Sequence, residues 1–347
     1  MKKPITRSSN IELLRIISML GVIILHYNNS NIGGGFKYVE SNSINYWILL
    51  FLEALNICAV NLFILISGFF LCESDKRKAS KVIDLVSQVV IFKALMYVIR
   101  ITLSTEGFSV KSMVTNALFD NYFVVLYLVL YLISPYFNII INSINVKEYQ
   151  KLLGLLVSIF SIWAIAIDIL MQLRGGAISG ISTISNNGNG YGYTIVQFSL
   201  MYFIGGYIRK NWDGLKTISK YKLIFLLLVN TSILTAWGYL AEPTAFEYCN
   251  PLIITEAVIV FILFNRIDIG YSKIINILAS EAFSVFLFHD ILIRHVGIEQ
   301  YVNKSAIVMC GHIVFCVLLI YLVCFMCGFG YHWIIRLIKK GSTYFGK

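Results

Sequence analysis

The sequence predicts an all-α protein that crosses a membrane about ten times. Of its 347 residues, 58% are hydrophobic and only 13% are charged, whereas soluble domains carry roughly 25% charged residues. Apolar runs of about 20 residues, the length that crosses the hydrocarbon core of a bilayer, recur from one end of the chain to the other. Because these runs are continuous rather than alternating with polar residues, they favour membrane helices over a β-barrel.

Ten apolar segments are the candidate membrane helices, and together they predict a single membrane domain over residues 1–347. The segments are 11–28, 46–71, 82–103, 122–141, 152–173, 193–209, 221–240, 251–266, 274–297 and 305–338. The second and the last are longer than one crossing requires, which indicates that they are tilted, broken or extended beyond the bilayer. The first is expected to be an uncleaved signal-anchor helix, because Arg15 interrupts its apolar core and no small-residue cleavage site follows.

The basic residues predict that both termini face the cytoplasm. In this orientation most of the 28 Lys and Arg residues fall in cytoplasmic segments, as the positive-inside rule requires. The outer loops hold only Lys37, Lys111, Arg174 and Lys304. The net charge of +10 is therefore explained by cytoplasmic loops, and binding of nucleic acid is not predicted.

The first segment contains ionisable residues, which are costly inside a membrane unless they are paired or functional. Arg15 and His26 are separated by three helical turns, so they share one face of the helix about 16 Å apart. Glu12, three residues before Arg15, is placed to form an ion pair with it. Two interpretations stay open. Arg15 and His26 are the two ends of one polar channel, or Arg15 extends to the cytoplasmic headgroups while His26 lies at the outer interface.

The second segment has a Ser-Gly pair near its end, and a basic loop follows the segment. Ser67 offers a hydrogen-bonding group and Gly68 a point of close backbone approach, although such a pair in a membrane helix is usually a packing contact. In the loop, Lys76, Arg77 and Lys78 could contact a phosphorylated cosubstrate. A loop that is basic only because it faces the cytoplasm explains the same composition.

Two further features have more than one interpretation. His289 and Asp290 form a second polar pair inside a predicted span, either in a functional cavity or as a core histidine with its partners. The outer loop 173–193 is rich in Gly, Ser and Asn, and is either a flexible connector or an aromatic-tipped lid that contacts a sugar. The five histidines show no metal-ligand spacing on one helix, so no metal site is predicted.

Five segments, in order along the chain, resemble the integral-membrane acyltransferase family 3, which includes bacterial O-acetyltransferases of surface polysaccharides. They are ELLRIISMLGVIILHY (12–27), VNLFILISGFF (60–70), NYFVVLYLVLYLISPYFNIII (121–141), YFIGGYIRK (202–210) and AFSVFLFHDILI (282–293). The first two carry the resemblance most specifically, through an arginine with ten residues between it and a histidine, and through a Phe-rich Ser-Gly-Phe motif.

The resemblance implies an enzyme that transfers an acyl group, usually acetyl, from cytoplasmic acetyl-CoA to a hydroxyl of a cell-surface polysaccharide or its lipid-linked precursor. It implies a multi-pass protein of the bacterial plasma membrane. Acetyl-CoA would be a cosubstrate and no cofactor would be bound. The glycan acceptor and membrane lipids would be the other partners.

The site residues follow from the resemblance and from the chemistry of a thioester acyl transfer. A neutral imidazole is suited to act as the base for an acceptor hydroxyl near pH 7, and positive charge is needed at the developing oxyanion and the CoA phosphates. His26 is the expected general base or transient acyl carrier, and Arg15 the expected anchor for the donor or its charge. Supporting roles are expected for Glu12, Ser67, Gly68 and His289, and donor binding for Lys76, Arg77 and Lys78.

A transporter or flippase for a lipid-linked sugar is the alternative function, because it would also use a buried arginine and a polar path. The chain shows no recognisable inverted repeat with broken Gly/Pro segments, which many transporters have. A glycan polymerase would favour a large outer catalytic loop, whereas the predicted outer loops are short. The two specific motifs favour the acyltransferase.

Overall fold

The computed structural model describes residues 8–74, 76–103, 109, 111, 122–176, 180–185 and 190–345. The regular structure of these residues is helical, which confirms the predicted all-α fold. The helices are α1 (Ser9–Asn28), α2 (Gly35–Tyr38), α3 (Ile44–Asn56), α4 (Ala59–Leu71), α5 (Ala79–Leu103), α6 (Tyr122–Ser143), α7 (Val146–Val157), α8 (Trp163–Arg174), α9 (Ile195–Lys210), α10 (Trp212–Leu215), α11 (Lys220–Ala245), α12 (Pro251–Asn265), α13 (Lys273–Ser280), α14 (Ala282–Ile293) and α15 (Ala306–Phe345). A π-helical turn, Ser158–Ile162, joins α7 to α8.

The described residues contain 7 helical segments that are long and apolar enough to cross a membrane, and the bent pair of α13 and α14 provides an eighth if it forms one span. The chain is therefore a multi-pass membrane protein. Each of the ten predicted segments lies on helix, but α9 and α12 have only 16 and 15 residues. Helices of this length measure roughly 23 Å, less than a hydrocarbon core of about 30 Å. Ten crossings, and the cytoplasmic location of both termini, stay predictions.

Two predicted spans are broken or extended, as their lengths indicated. The second is interrupted by a turn at Ile57 and Cys58, between α3 and α4. The last continues as a single helix of 40 residues, about 60 Å long and twice the thickness of a hydrocarbon core. The ninth also breaks, because the chain bends by 56° between α13 and α14 at the buried residue Glu281.

The contacts divide the chain into two compact units. The first unit is Met1–Leu52 together with Ile269–Lys347, and the second is Glu53–Asp268. The first unit therefore joins the beginning of the chain to its end. A single domain over the whole chain stays a prediction.

In the first unit, α1 packs against α13, α14 and α15, and polar contacts hold both of its ends. At the beginning of α1, Ser9 Oγ accepts from the backbone N–H of Ser272 at 2.8 Å and lies 3.2 Å from Oδ1 of Asn276. At the other end, the hydroxyl of Tyr27 lies 2.9 Å from Nδ1 of His312 on α15. These contacts fix the position of α1 against the other helices of the first unit.

In the second unit, α4 and α9 make the most extensive helix pair, and glycines allow it. A Cβ atom at Gly68 would lie 2.3 Å from the carbonyl oxygen of Tyr202, and one at Gly205 would lie 2.3 Å from that of Leu65. Small residues let membrane helices approach closely, so that backbone contacts replace the hydrophobic driving force that lipid does not supply. Gly68 therefore packs α4 against α9, and the supporting role expected of it in the reaction stays a prediction.

Candidate active site

His26 lies in the last turn of α1 and faces His289 on α14. Nδ1 of His26 is 3.1 Å from Nε2 of His289, and the two ring centroids are 4.5 Å apart. The His289 side chain is buried, whereas His26 keeps 29% of its side chain exposed. One imidazole is thus enclosed by the protein, and the other is held against it with part of its ring accessible to a substrate.

His289 is tied to the backbone of its own helix. Its Nδ1 lies 3.0 Å from the carbonyl oxygen of Val285, one turn earlier, and the ring of Phe286 lies beside it with centroids 6.1 Å apart. These two contacts set the plane of the His289 ring, and so the direction in which Nε2 points towards His26.

Asp290 supplies a carboxylate on the same side of His26. Its Oδ1 lies 3.9 Å from Nδ1 of His26 and 3.2 Å from Nη2 of Arg294. Arg294 also donates to the carbonyl oxygen of Asn31 at 3.1 Å, so it links the end of α14 to the loop after α1. No carboxylate partner for His26 is recognisable among its neighbours in sequence. The partner comes from the other end of the chain, and the only signal for it was the adjacent pair of His289 and Asp290.

Glu12 and Arg15 form the ion pair that their spacing predicts. Glu12 is buried, with 6% of its side chain exposed, and Arg15 retains 31%. The pair lowers the cost of a buried carboxylate. Arg15 lies three turns from His26 on the same helix, so the two residues occupy different depths along α1, as the spacing predicts.

Ser67 and Gly68 belong to the second unit. The hydroxyl of Ser67 donates to the carbonyl oxygen of Phe63 at 2.9 Å, one turn earlier in α4. This local hydrogen bond is typical of serine in a helix, and with the close packing at Gly68 it accounts for the motif in structural terms. The catalytic support expected of Ser67 stays a prediction.

In the basic loop after α4, one cation is bound to the protein and two are exposed. Nε of Arg77 donates to Ser134 Oγ at 2.9 Å and to the carbonyl oxygen of Tyr131 at 3.2 Å, and its guanidinium stacks over the Tyr131 ring at 5.4 Å. Arg77 thus holds the loop against α6, whereas Lys76 and Lys78 are exposed. The exposed lysines are the better candidates for an anionic donor.

A second histidine centre lies at the bend between α13 and α14. Nδ1 of His332, on α15, lies 2.9 Å from Oε2 of Glu281, and Ser284 Oγ donates to the same oxygen at 2.9 Å. A Cβ atom at Gly328 would approach this oxygen to 2.5 Å, so a glycine is needed where α15 passes it. Sequence reasoning did not pair these residues, because 51 positions separate Glu281 from His332.

We expect His332→Leu to destabilise the protein by about 1–3 kcal/mol. The substitution leaves the buried Glu281 carboxylate without its histidine partner, and removing one partner of a fully buried ion pair costs about 3–5 kcal/mol. The cost is smaller here because 35% of the His332 side chain is exposed. Thermal unfolding of the detergent-purified protein measures it. Glu281→Gln combined with His332→Leu should recover part of the loss, and no recovery would contradict the pairing.

The loop 173–193, which the sequence predicts on the outer side, is anchored at its end. The backbone N–H of Tyr248 donates to the carbonyl oxygen of Tyr191 at 3.0 Å, and the rings of Tyr193 and Tyr248 pack edge to face with centroids 5.0 Å apart. Tyr191 has a φ of 58° and an exposed side chain. Residues 177–179 and 186–189 of this loop lie outside the described residues, and both interpretations of the loop stay open.

The described part of the chain contains no group of three or more His, Cys, Asp or Glu side chains arranged to hold a metal ion. The groups that meet at the paired imidazoles of the first unit are His26, His289 and the adjacent carboxylate of Asp290. An imidazole with one accessible edge and its second nitrogen held by a neighbour is suited to accept a proton or an acyl group.

Comparison with known proteins identifies the family. A family model described as an acyltransferase domain, acyltransferase family 3, matches residues 8–331. No curated protein and no solved structure shows a significant match to the chain. The matched region includes α1 with Glu12, Arg15 and His26, and α14 with His289 and Asp290. The chain belongs to acyltransferase family 3 and is a membrane acyltransferase.

Proposed function

We propose that the protein is a membrane O-acyltransferase of the bacterial plasma membrane. It moves an acetyl group from cytoplasmic acetyl-CoA to a hydroxyl of a cell-surface polysaccharide or of its lipid-linked precursor. The observation that carries the proposal is His26, whose ring is oriented by His289 and has the Asp290 carboxylate 3.9 Å away, in a chain that matches the acyltransferase domain over 8–331.

His26 serves the transfer as general base or as acyl carrier. As a base, it takes the proton of the acceptor hydroxyl while the oxygen bonds to the acyl carbon. The carbon–sulfur bond breaks, and the CoA thiolate leaves and receives the proton. As a carrier, its ring nitrogen bonds to the acyl carbon when the thiolate leaves. The acceptor oxygen then bonds to the acyl carbon as the carbon–nitrogen bond breaks, and the hydroxyl proton passes to the thiolate. General base catalysis contributes about 10²–10⁴-fold to such a reaction.

Each unit offers a cationic candidate for the donor, Arg15 in the first unit and the basic loop in the second. Arg15 places a permanent positive charge on the His26 face of α1, towards its beginning, where an anionic donor or a developing oxyanion would be stabilised. Glu12 holds this charge in position through the ion pair. Lys76 and Lys78 are exposed beyond the end of α4 and suit the CoA phosphates, with Arg77 as the residue that holds their loop.

The role of Arg15 can be separated from its pairing with Glu12. We expect Arg15→Met to lower the rate of acyl transfer at least tenfold, and Arg15→Lys to have a smaller effect. Because Arg15→Met leaves the buried Glu12 unpaired, the matched control is Glu12→Gln combined with Arg15→Met, which removes both charges. If the double variant regains wild-type transfer, Arg15 acts only as the partner of Glu12.

Purified protein in lipid nanodiscs tests the proposed function directly. The donor is acetyl-CoA labelled in the acetyl group, and the acceptor is envelope glycan from the source cells, treated with mild alkali to remove existing ester groups. We expect labelled, alkali-labile ester on the glycan and an equal amount of CoA thiol. Movement of a lipid-linked sugar across vesicles without consumption of acetyl-CoA would instead establish the flippase and overturn the proposal.

The same assay defines the donor and the acceptor. Propionyl-CoA and a long-chain acyl-CoA are offered in place of acetyl-CoA, and the lipid-linked fraction of the glycan is offered in place of the polymer. Preference for acetyl-CoA is expected. A preference for the long-chain donor would contradict the acetyl assignment but leave the acyltransferase intact.

A further inference from the structure

The hydrogen bonds of His289 determine which of its nitrogens carries the proton. The carbonyl oxygen of Val285, 3.0 Å from Nδ1, can only accept a hydrogen bond. Nδ1 of His289 must therefore be the protonated nitrogen. In a neutral imidazole the other nitrogen is then an acceptor, so Nε2 of His289 presents a lone pair to His26.

The lone pair on Nε2 of His289 in turn determines which nitrogen of His26 carries the proton. Its Nδ1 lies 3.1 Å from Nε2 of His289, and a hydrogen bond between them requires His26 to be the donor. Neutral His26 therefore carries its proton on Nδ1 and leaves Nε2 with a lone pair. The Val285 carbonyl thus specifies the protonation of a histidine on a different helix through one intervening imidazole.

We propose that His289 is a positioning residue that holds His26 in the Nδ1–H tautomer, which makes Nε2 of His26 the atom that accepts the proton or the acyl group. The inference deepens the proposed function and rests on it for the reaction. The tautomer itself rests only on the contacts of Val285, His289 and His26, all within the first unit.

The arrangement also accommodates the charge that forms during the reaction. When Nε2 gains a proton or an acyl group, the His26 ring becomes positively charged and its Nδ1–H becomes a stronger donor to His289. Asp290 Oδ1, 3.9 Å from Nδ1, lowers the energy of this cation, and Arg294 holds the carboxylate in place while offsetting part of its charge. A neutral imidazole as the direct partner avoids placing a buried anion in a membrane helix.

Both chemical routes use the lone pair of Nε2, but they form different bonds there. On the base route, the O–H bond of the acceptor breaks, an N–H bond forms at Nε2, and that proton passes to the departing thiolate. On the carrier route, an N–C bond forms at Nε2 as the C–S bond breaks. The acceptor oxygen then bonds to the acyl carbon as the N–C bond breaks, and the acceptor proton passes to the thiolate. In neither route does the proton on Nδ1 leave, because His289 accepts its hydrogen bond throughout.

Nitrogen NMR of the folded protein measures the tautomer without any assay of activity. The full chain is labelled with ¹⁵N-histidine and placed in nanodiscs at neutral pH, and the His26 signals are identified as those lost in His26→Gln. Protonated and unprotonated ring nitrogens have widely separated ¹⁵N shifts. We expect a protonated Nδ1 and a bare Nε2 on His26. A bare Nδ1, or a doubly protonated ring, would overturn the proposal even if the protein proves to be an acyltransferase.

Two variants test the positioning role. In His289→Gln, the side-chain amide oxygen can replace Nε2 as acceptor. In His289→Leu, no acceptor is present, and His26 can adopt the Nε2–H form that free histidine prefers. We expect His289→Leu to lower kcat by about 100-fold with KM for acetyl-CoA changed less than about twofold, and His289→Gln to stay within about tenfold of the unmodified protein.

The outcomes are distinguishable. Equal kcat in the Leu and Gln variants, or a Nδ1–H tautomer that persists in His289→Leu, would show that His289 does not position His26. If His289→Leu does not accumulate as folded protein, the ¹⁵N spectra of the unmodified protein and of His289→Gln decide the question. If the unmodified protein transfers no acyl group but His26 has the expected tautomer, the proposed function is wrong and the tautomer assignment stands.

Discussion

His26→Ala is expected to reduce acyl transfer by about 10²–10⁴-fold, the contribution of a general base, while the protein remains folded. The imidazole faces a buried partner, His289, and keeps an accessible edge. Its removal leaves the acceptor hydroxyl without a base and the acyl group without a carrier. The measurement is single-turnover transfer from labelled acetyl-CoA to the alkali-treated glycan, beside thermal unfolding of the same preparation.

The matched control for His26 is His295→Ala. His295 lies just after α14, two residues beyond its last residue, and its side chain is exposed. Because it belongs to the same unit and the same residue type, it reports any general effect of removing an imidazole. We expect its transfer rate to stay within about twofold of the unmodified protein. A normal rate in His26→Ala, with normal unfolding, would remove His26 from the reaction.

His26→Gln separates the loss of the base from the loss of packing. Glutamine fills much of the same volume and can donate towards Nε2 of His289, but its amide is not basic. Transfer should therefore be as low as in His26→Ala, whereas thermal stability should be closer to that of the unmodified protein. Recovery of transfer in His26→Gln would mean that the site requires shape and hydrogen bonding rather than a base.

Gly68→Ala is expected to produce a large loss of stability, with a cost of about 1–3 kcal/mol or more. The added Cβ would lie 2.3 Å from the carbonyl oxygen of Tyr202, a distance that forces α4 and α9 apart, and overpacking of this kind destabilises cores by about 1–3 kcal/mol. The intrinsic helix preference of alanine, about 1 kcal/mol over glycine, acts in the opposite direction. Thermal unfolding in detergent and the yield of monodisperse protein measure the net effect.

The control for Gly68 is Gly154→Ala in α7 of the same unit. Nothing lies within 4 Å of a Cβ atom built at Gly154, so only the helix preference operates there and stability should be unchanged or slightly higher. If Gly68→Ala melts at or above the unmodified protein while transfer is lost, the glycine serves the reaction and not the packing of α4 on α9.

The comparison of Gly68 with Gly154 shows why the role of the Ser67-Gly68 motif was ambiguous from the sequence alone. A Ser-Gly pair in an apolar helix is compatible with a hydrogen-bonding group at a reaction centre and with a contact between helices. The backbone distances at Gly68 and the hydrogen bond from Ser67 to Phe63 favour the contact between helices. The contact at Gly68 does not depend on a local pattern, because Tyr202 is more than a hundred residues away in the chain.

The sequence also could not distinguish the roles of the three basic residues in the loop after α4. Three cations in a row predict only a positively charged surface. The structure separates Arg77, whose guanidinium is hydrogen-bonded to α6, from Lys76 and Lys78, which are exposed. The difference arises from where Tyr131 and Ser134 lie in space, and no spacing rule within the loop could have indicated it.

By itself, the sequence determined the class of fold, the approximate positions of the apolar helices, the ion pair between Glu12 and Arg15, and the place of His26 near the end of its helix. These properties follow from apolar length and from a period of 3.6 residues, which act over a few turns of one helix. They required no knowledge of which helices are neighbours.

Only the tertiary structure identified the side chain that contacts the His26 ring. His289 lies 263 positions away in the chain, and it reaches His26 because α14, from the end of the chain, packs against α1 from its beginning. Hydrogen bonds act over about 3 Å, so the direction of one imidazole is set by which helix stands beside it. The fold therefore converts a histidine near the end of the first membrane helix into one whose protonated nitrogen is specified.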